Sequence, residues 1–112
     1  MNKPIDMTIT EFIEKIKMVL DKPGMFRVES VDDISLFVTW EIHMRGNKEV
    51  SDFFAEFTRY IENEQFKSLH DFWWNKIIRL YSGSNSHSLI LFGEYLNDFL
   101  GNNLIAPMTA TV

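Results

Sequence analysis

The chain of 112 residues contains no cysteine. That removes disulfides, thiolate metal sites and cysteine nucleophiles together, and makes a reducing cytoplasm the natural setting. Proline and glycine are sparse, three and five, and they form no linker or low-complexity run; no internal repeat is visible either. No stretch reaches the roughly 18–20 apolar residues of a membrane span, and Met1 to Thr10 is mixed and polar, so neither a membrane segment nor a secretory leader is expected. Positive charge is also in deficit, with 11 Lys and Arg against 16 Asp and Glu and a net charge of −5. Such a field repels phosphate backbones and attracts basic partners, which counts against nucleic-acid binding, or it serves only to keep a small protein soluble.

What is abundant is apolar surface. Hydrophobic residues make up 46% of the chain and aromatics 14%, with ten Phe and three Trp, enough burial to offset the entropy of ordering the backbone. The length fits one domain, residues 1–112, since domains centre on about 100–150 residues.

The periodicity predicts an all-α domain of about five helices. Over 8–20, Ile9, Phe12, Ile13, Ile16, Val19 and Leu20 share one face, and Thr8 with Glu11 has the form of a capping box. Over 31–45, Ser30 caps a segment with Asp32 and Asp33 in its first turn, where the helix dipole favours negative charge, and Gly46 supplies a left-handed stop. Its apolar set of Val31, Ile34, Phe37, Val38, Trp40, Ile42 and Met44 covers well over half the circumference, so a central helix is expected. A third helix, 51–63, opening at Ser51, lays Phe53, Phe54, Phe57, Tyr60 and Ile61 on one face with Asp52, Glu56, Arg59 and Glu62 opposite. A fourth, 69–81, begins after Ser68 with Asp71 near its start and carries Phe72, Trp73, Trp74, Ile77, Ile78, Leu80 and Tyr81. After the turn formers of 82–86, a fifth helix over 87–100 points Phe92, Leu96, Phe99 and Leu100 inward and Glu94, Asn97 and Asp98 outward. Residues 102–112 have no period and are expected to form a poorly structured tail.

Chemistry-bearing residues do not assemble into a catalytic pattern. His43, His70 and His87 are far apart and make no metal-ligand spacing, and no GxSxG-like context surrounds the serines. No enzyme, metal or cofactor is therefore expected. Glu41 is the informative charge, because it falls in the middle of the apolar arc of its helix and a carboxylate there needs a partner. Arg45, one turn on, is the local candidate. The pair either fixes helix packing from a partly buried position or sits at the rim of a groove and receives a basic group from a partner. The acids Glu29, Asp32, Asp33, Glu49, Asp52, Glu56, Glu62 and Asp71 either form a solvated face or meet Lys and Arg of another protein. Trp40 and Trp74 are candidate anchors for such a partner, or core residues.

Between the first two helices stands Lys22-Pro23-Gly24-Met25-Phe26. Pro-Gly predicts a type II turn with positive φ at Gly24, and Met25 and Phe26 are expected to tuck beneath the helices. The segment resembles the R-P-G-M-Y run of the ATPase domain of gyrase B-type topoisomerase subunits, but neither an E-x-x-D-N signature nor a D-x-G-x-G loop accompanies it, and nucleotide binding is set aside. It also resembles the R-P-G-M-[YF] segment of small bacterial immunity proteins that partner polymorphic and contact-dependent toxins. In that group the segment follows a first helix and precedes an aromatic-rich one; a Phe-rich helix, a tryptophan followed by aliphatics, and a final F-x-x-x-[LF]-x-x-F/L helix come later. Phe12 to Leu20, Leu36-Phe37-Val38, Phe53 to Phe57, Trp74-Asn75-Lys76-Ile77-Ile78 and Phe92 to Leu100 are similar, so the likeness spans roughly residues 10–100. Lys22 replaces the usual Arg, and Trp40-Glu41 stands where Gly-Tyr is common. The resemblance implies a non-enzymatic cytoplasmic immunity protein that blocks the active site or substrate cleft of one cognate toxin C-terminal domain. A basic nuclease suits the acidic charge, with an RNase favoured, and the chain would be monomeric when free and one-to-one with its toxin. The competing reading is a helical adaptor, or a structural subunit dimerising through the apolar faces of the second and fourth helices.

Overall fold

The computed structural model describes residues 8–63 and 72–101. Among these residues there are five α-helices and no strand: α1 (Ile9–Asp21), α2 (Val31–Thr39), α3 (Lys48–Ile61), α4 (Trp74–Tyr81) and α5 (Asn85–Phe99). A 3-10 turn, Pro23–Phe26, links α1 to α2, and a π-helical turn, Trp40–Met44, extends α2 toward α3. The all-α, single-globule expectation therefore holds. Residues 1–7, 64–71 and 102–112 lie outside the described residues, and with them the expected tail, the expected helical residues 69–71, His70 and Asp71; Phe72 and Trp73, expected inside the fourth helix, precede it.

Each boundary has a local cause. Thr8 and Glu11 form the expected capping box, with the Glu11 N–H donating to Thr8 Oγ1 and the Thr8 N–H donating to Glu11 Oε1, both at 3.1 Å. Ser30 and Asp33 repeat the device at α2. The third helix opens earlier than expected: Asn47, not Ser51, is the cap, its Oδ1 accepting from the Val50 N–H at 3.2 Å. Gly46 ends the preceding turn in the left-handed region at φ 65°, so Asn47 is the first residue free to cap, and Ser51 falls inside the helix. The fifth helix likewise opens at Ser84 rather than at His87, with the Ser84 hydroxyl accepting from the His87 N–H at 3.1 Å. α4 begins at Trp74, because Trp73 is still extended at ψ 164°. Its first N–H is satisfied from another helix, donating to Thr58 Oγ1 of α3 at 3.2 Å.

Aromatic rings fill the centre. Phe53, Phe54 and Phe57 of α3 meet Phe12 of α1, Trp74 of α4, and Phe92 and Phe99 of α5, with ring centroids 5.1–6.3 Å apart across the helices. Edge-to-face and tilted pairs dominate, the geometry the ring quadrupole favours. α3 thus forms the hub, and Trp74 is a core residue. A second tie fixes α2 against α5: the fully buried Ser88 hydroxyl accepts from the Val31 N–H at 3.0 Å and donates to the Asn85 carbonyl at 2.6 Å.

α2 is less enclosed than its composition suggests. Val31, Ile34 and Val38 are buried against α4 and α5, but Leu36, Phe37, Trp40 and Met44 face outward. Among the described residues the other helices enclose only the Val31, Ile34 and Val38 side of it, and the second apolar stripe stays largely exposed.

Candidate functional site

The site grows from the loop that the sequence made conspicuous. Pro23–Phe26 is a 3-10 turn and not a type II turn: the Met25 N–H donates to the Lys22 carbonyl (3.1 Å), the Arg27 N–H to Gly24 (3.2 Å), and the Val28 N–H to Pro23 (2.9 Å). Gly24 has no positive φ; the left-handed residue is Arg27, at φ 59°. Reversal is thereby delayed past Phe26, and Val28 rather than Met25 is the side chain driven into the core. Met25 is instead 71% exposed and Phe26 partly so, which corrects the expectation that both tuck inward.

Phe26 stands beside the outer stripe of α2. Together Phe26, Phe37 and Trp40 form a wall between two hollows. One hollow, of about 360 Å³, lies between α1 and the π turn; Ile16 and Val19 floor it, and Lys15, Met18, Glu41 and Arg45 complete it. The other, of about 510 Å³, is bounded by Arg27, Val28, Asp33 and Leu36. With Leu36 67%, Trp40 57% and Met44 65% exposed, this is a contiguous apolar face of the kind that marks an interaction surface.

The π turn sets the charges within it. Asn47 donates its backbone N–H to the Glu41 carbonyl at 3.2 Å, a closure one residue wider than an ordinary Schellman bond, as a π turn requires. That turn leaves Trp40 outside and Glu41 inside, its side chain only 4% exposed. The carboxylate accepts a 2.8 Å hydrogen bond from Asn47 Nδ2 through Oε2. Its Oε1 lies 3.4 Å from Arg45 Nε, whose side chain is 31% exposed, and that buried nitrogen makes no hydrogen bond. The expected Glu41–Arg45 pair therefore exists, and it borders the groove while also anchoring the start of α3 through Asn47.

The remaining acids are dispersed. Asp33 Oδ2 accepts from the Glu29 N–H at 2.8 Å and the Ser30 N–H at 3.3 Å, and Asp33 lines the second hollow. Asp32 turns to α4, its Oδ1 accepting from Asn75 Nδ2 at 3.1 Å and its Oδ2 3.4 Å from Arg79 Nε. Asp52 pairs with Lys48 at 3.1 Å and Glu56 with Arg59 at 4.0 Å on the solvent side of α3; neither lines either of these two hollows. Trp40, Glu41 and Asp33 thus border the two hollows, and Glu29, Asp32, Asp52 and Glu56 are not among the residues that line them; Asp71 is outside the described residues. Sequence reasoning missed Lys15, Met18 and Leu36 as members. The spacing of Leu36, Phe37, Trp40 and Met44, a second stripe opposite Val31, Ile34 and Val38, carried the signal.

Among the described residues no group of three or more His, Asp or Glu could hold a metal ion, and no helix is long and apolar enough to cross a membrane. Fold and site together define a small all-α protein with an exposed aromatic face. Comparison with protein-family models, with curated proteins and with solved structures finds no match for this chain.

Proposed function

We propose that the chain is an immunity protein that binds one cognate toxin domain, a basic nuclease with RNase the favoured case, and neutralises it in the cytoplasm by covering its active site or substrate cleft. The chain contributes binding and no chemistry. The observation that carries this reading is the open aromatic face of Phe26, Phe37 and Trp40, carried by the 3-10 turn, α2 and the π turn. Large aromatic side chains lose little entropy when fixed, and they concentrate binding energy at the centre of interfaces. Asp33 lies on the rim of that face, where it would meet Lys or Arg of a nucleic-acid cleft and help steer its approach. The resemblance of Lys22-Pro23-Gly24-Met25-Phe26 and the later aromatic helices to toxin-immunity proteins supports the same reading.

Co-expression with the C-terminal domain of a large secreted protein encoded immediately upstream tests it. The chain is expected to restore growth and to co-purify one-to-one with that domain, while Trp40→Glu folds and fails to protect. Absence of both rescue and co-purification by the unaltered chain refutes the reading.

A further inference from the structure

Methionine supplies all the sulfur in this chain, since cysteine is absent. Three of the six methionines, Met18, Met25 and Met44, fall among the described residues, and they are 56%, 71% and 65% exposed. The usual place of a methionine is the interior, where its unbranched thioether fills irregular gaps. Here Val, Ile, Leu, Phe and Trp fill the interior, and the three thioethers sit on elements that carry or border the aromatic wall. Met18 lines the first hollow together with Phe26, Phe37 and Trp40. Met25 directly precedes Phe26 in the 3-10 turn, and Met44 closes the π turn that begins at Trp40.

We infer that Met18, Met25 and Met44 form an oxidation site, through which hydrogen peroxide sets the polarity of this face while the fold stays intact. At each Sδ a lone pair takes one peroxide oxygen: an S–O bond forms, the O–O bond breaks, and the proton on the transferred oxygen passes to the departing hydroxide, which leaves as water. Sulfur is oxidised by two electrons and the peroxide is reduced by two. The sulfoxide is polar and chiral, a strong hydrogen-bond acceptor on what was apolar surface. No thiol of the chain competes for the oxidant. Because none of the three thioethers is a core residue, the change falls on the face and not on the packing. The consequence for neutralisation rests on the immunity reading: a sulfoxide pressed into an interface without a donor is expected to weaken toxin binding about tenfold.

The test treats the full chain with hydrogen peroxide under native conditions, beside a variant carrying Met18→Leu, Met25→Leu and Met44→Leu, which keeps nearly the same apolar volume without those sulfurs. Peptide mass mapping is expected to find one added oxygen on each of Met18, Met25 and Met44. In hydrophobic-interaction chromatography the oxidised chain is expected to elute earlier than the untreated one. The variant, in which Met1, Met7 and Met108 remain, is expected to shift markedly less. The Tm by circular dichroism is expected to stay within about 2 °C. Methionine sulfoxide reductases, one for each epimer, are expected to restore the retention, the oxygen leaving as water while a dithiol reductant closes to a disulfide. Three outcomes each overturn the proposal: resistance of these methionines under conditions that oxidise the urea-unfolded chain, equal retention shifts in chain and variant, or a fall in Tm confined to the unaltered chain. A toxin domain bound as tightly by the oxidised chain as by the untreated one overturns it too. Every other arm is free of toxin, so failed growth rescue refutes the immunity reading alone.

Discussion

Replacing Arg45 with Met is expected to destabilise the fold more than replacing Glu41 with Gln, although Glu41 is the more deeply buried of the two. The carboxylate is almost wholly removed from water, whereas about a third of the Arg45 side chain remains exposed. In Glu41→Gln the amide oxygen still accepts from Asn47, and the guanidinium can turn toward solvent; a loss of about 1 kcal/mol is expected, the scale of a partly screened pair. In Arg45→Met the carboxylate stays buried with Asn47 as its remaining hydrogen-bond donor. Breaking a fully buried pair in that way costs about 3–5 kcal/mol, and with Arg45 itself partly exposed about 2–3 kcal/mol is expected. The double variant should lie between the two singles, since removing the charge removes the penalty. Urea unfolding followed by circular dichroism, with the slope unchanged, reads the differences, and each kcal/mol corresponds to about 4 °C in Tm for a domain of this size. A larger loss for Glu41→Gln than for Arg45→Met refutes the reasoning, and so does an Arg45→Met loss below about 0.5 kcal/mol.

Two further outcomes test how the site is held. Ser88→Ala leaves the Val31 N–H buried without its acceptor and is expected to cost about 1–3 kcal/mol in the same unfolding assay; a change within about 0.3 kcal/mol would show that the hydroxyl does not tie α2 to α5. Gly46→Ala places a side chain at φ 65°, where no neighbouring atom crowds the added carbon. About 1 kcal/mol is expected from backbone strain alone, visible as a lower Tm with an unchanged spectrum.

The first helix was legible down to its capping box, because Thr8, Glu11 and a one-sided apolar stripe all act within the segment. Starts that depended on competition between caps were less so. Asn47 preempts Ser51 because Gly46 has already reversed the chain, and Trp74 opens α4 because Thr58, sixteen residues away, supplies its acceptor. The Pro-Gly pair pointed to a type II turn, but the positive φ moved to Arg27 once two i→i−3 hydrogen bonds formed a 3-10 turn and the Val28 N–H closed it on Pro23. Local turn statistics do not count those bonds. Glu41 was legible as an inward acid because its position follows from helical spacing. That the opposite stripe would stay open was not, since openness depends on how many neighbours five short helices can provide. Trp40 and Trp74 show the limit well: both occupy apolar positions in the sequence, yet one is 57% exposed and the other sits at the centre of the core.

The central claim is that the face around Phe26, Phe37 and Trp40 is where the toxin domain docks. Amide hydrogen exchange of the full chain, alone and saturated with that domain, tests it most directly. The account predicts new protection over 23–28 and 36–45, with the solvent side of α3 around Asp52 and Glu56 unchanged. Protection confined to α3, with 23–28 and 36–45 exchanging as in the chain alone, would contradict it.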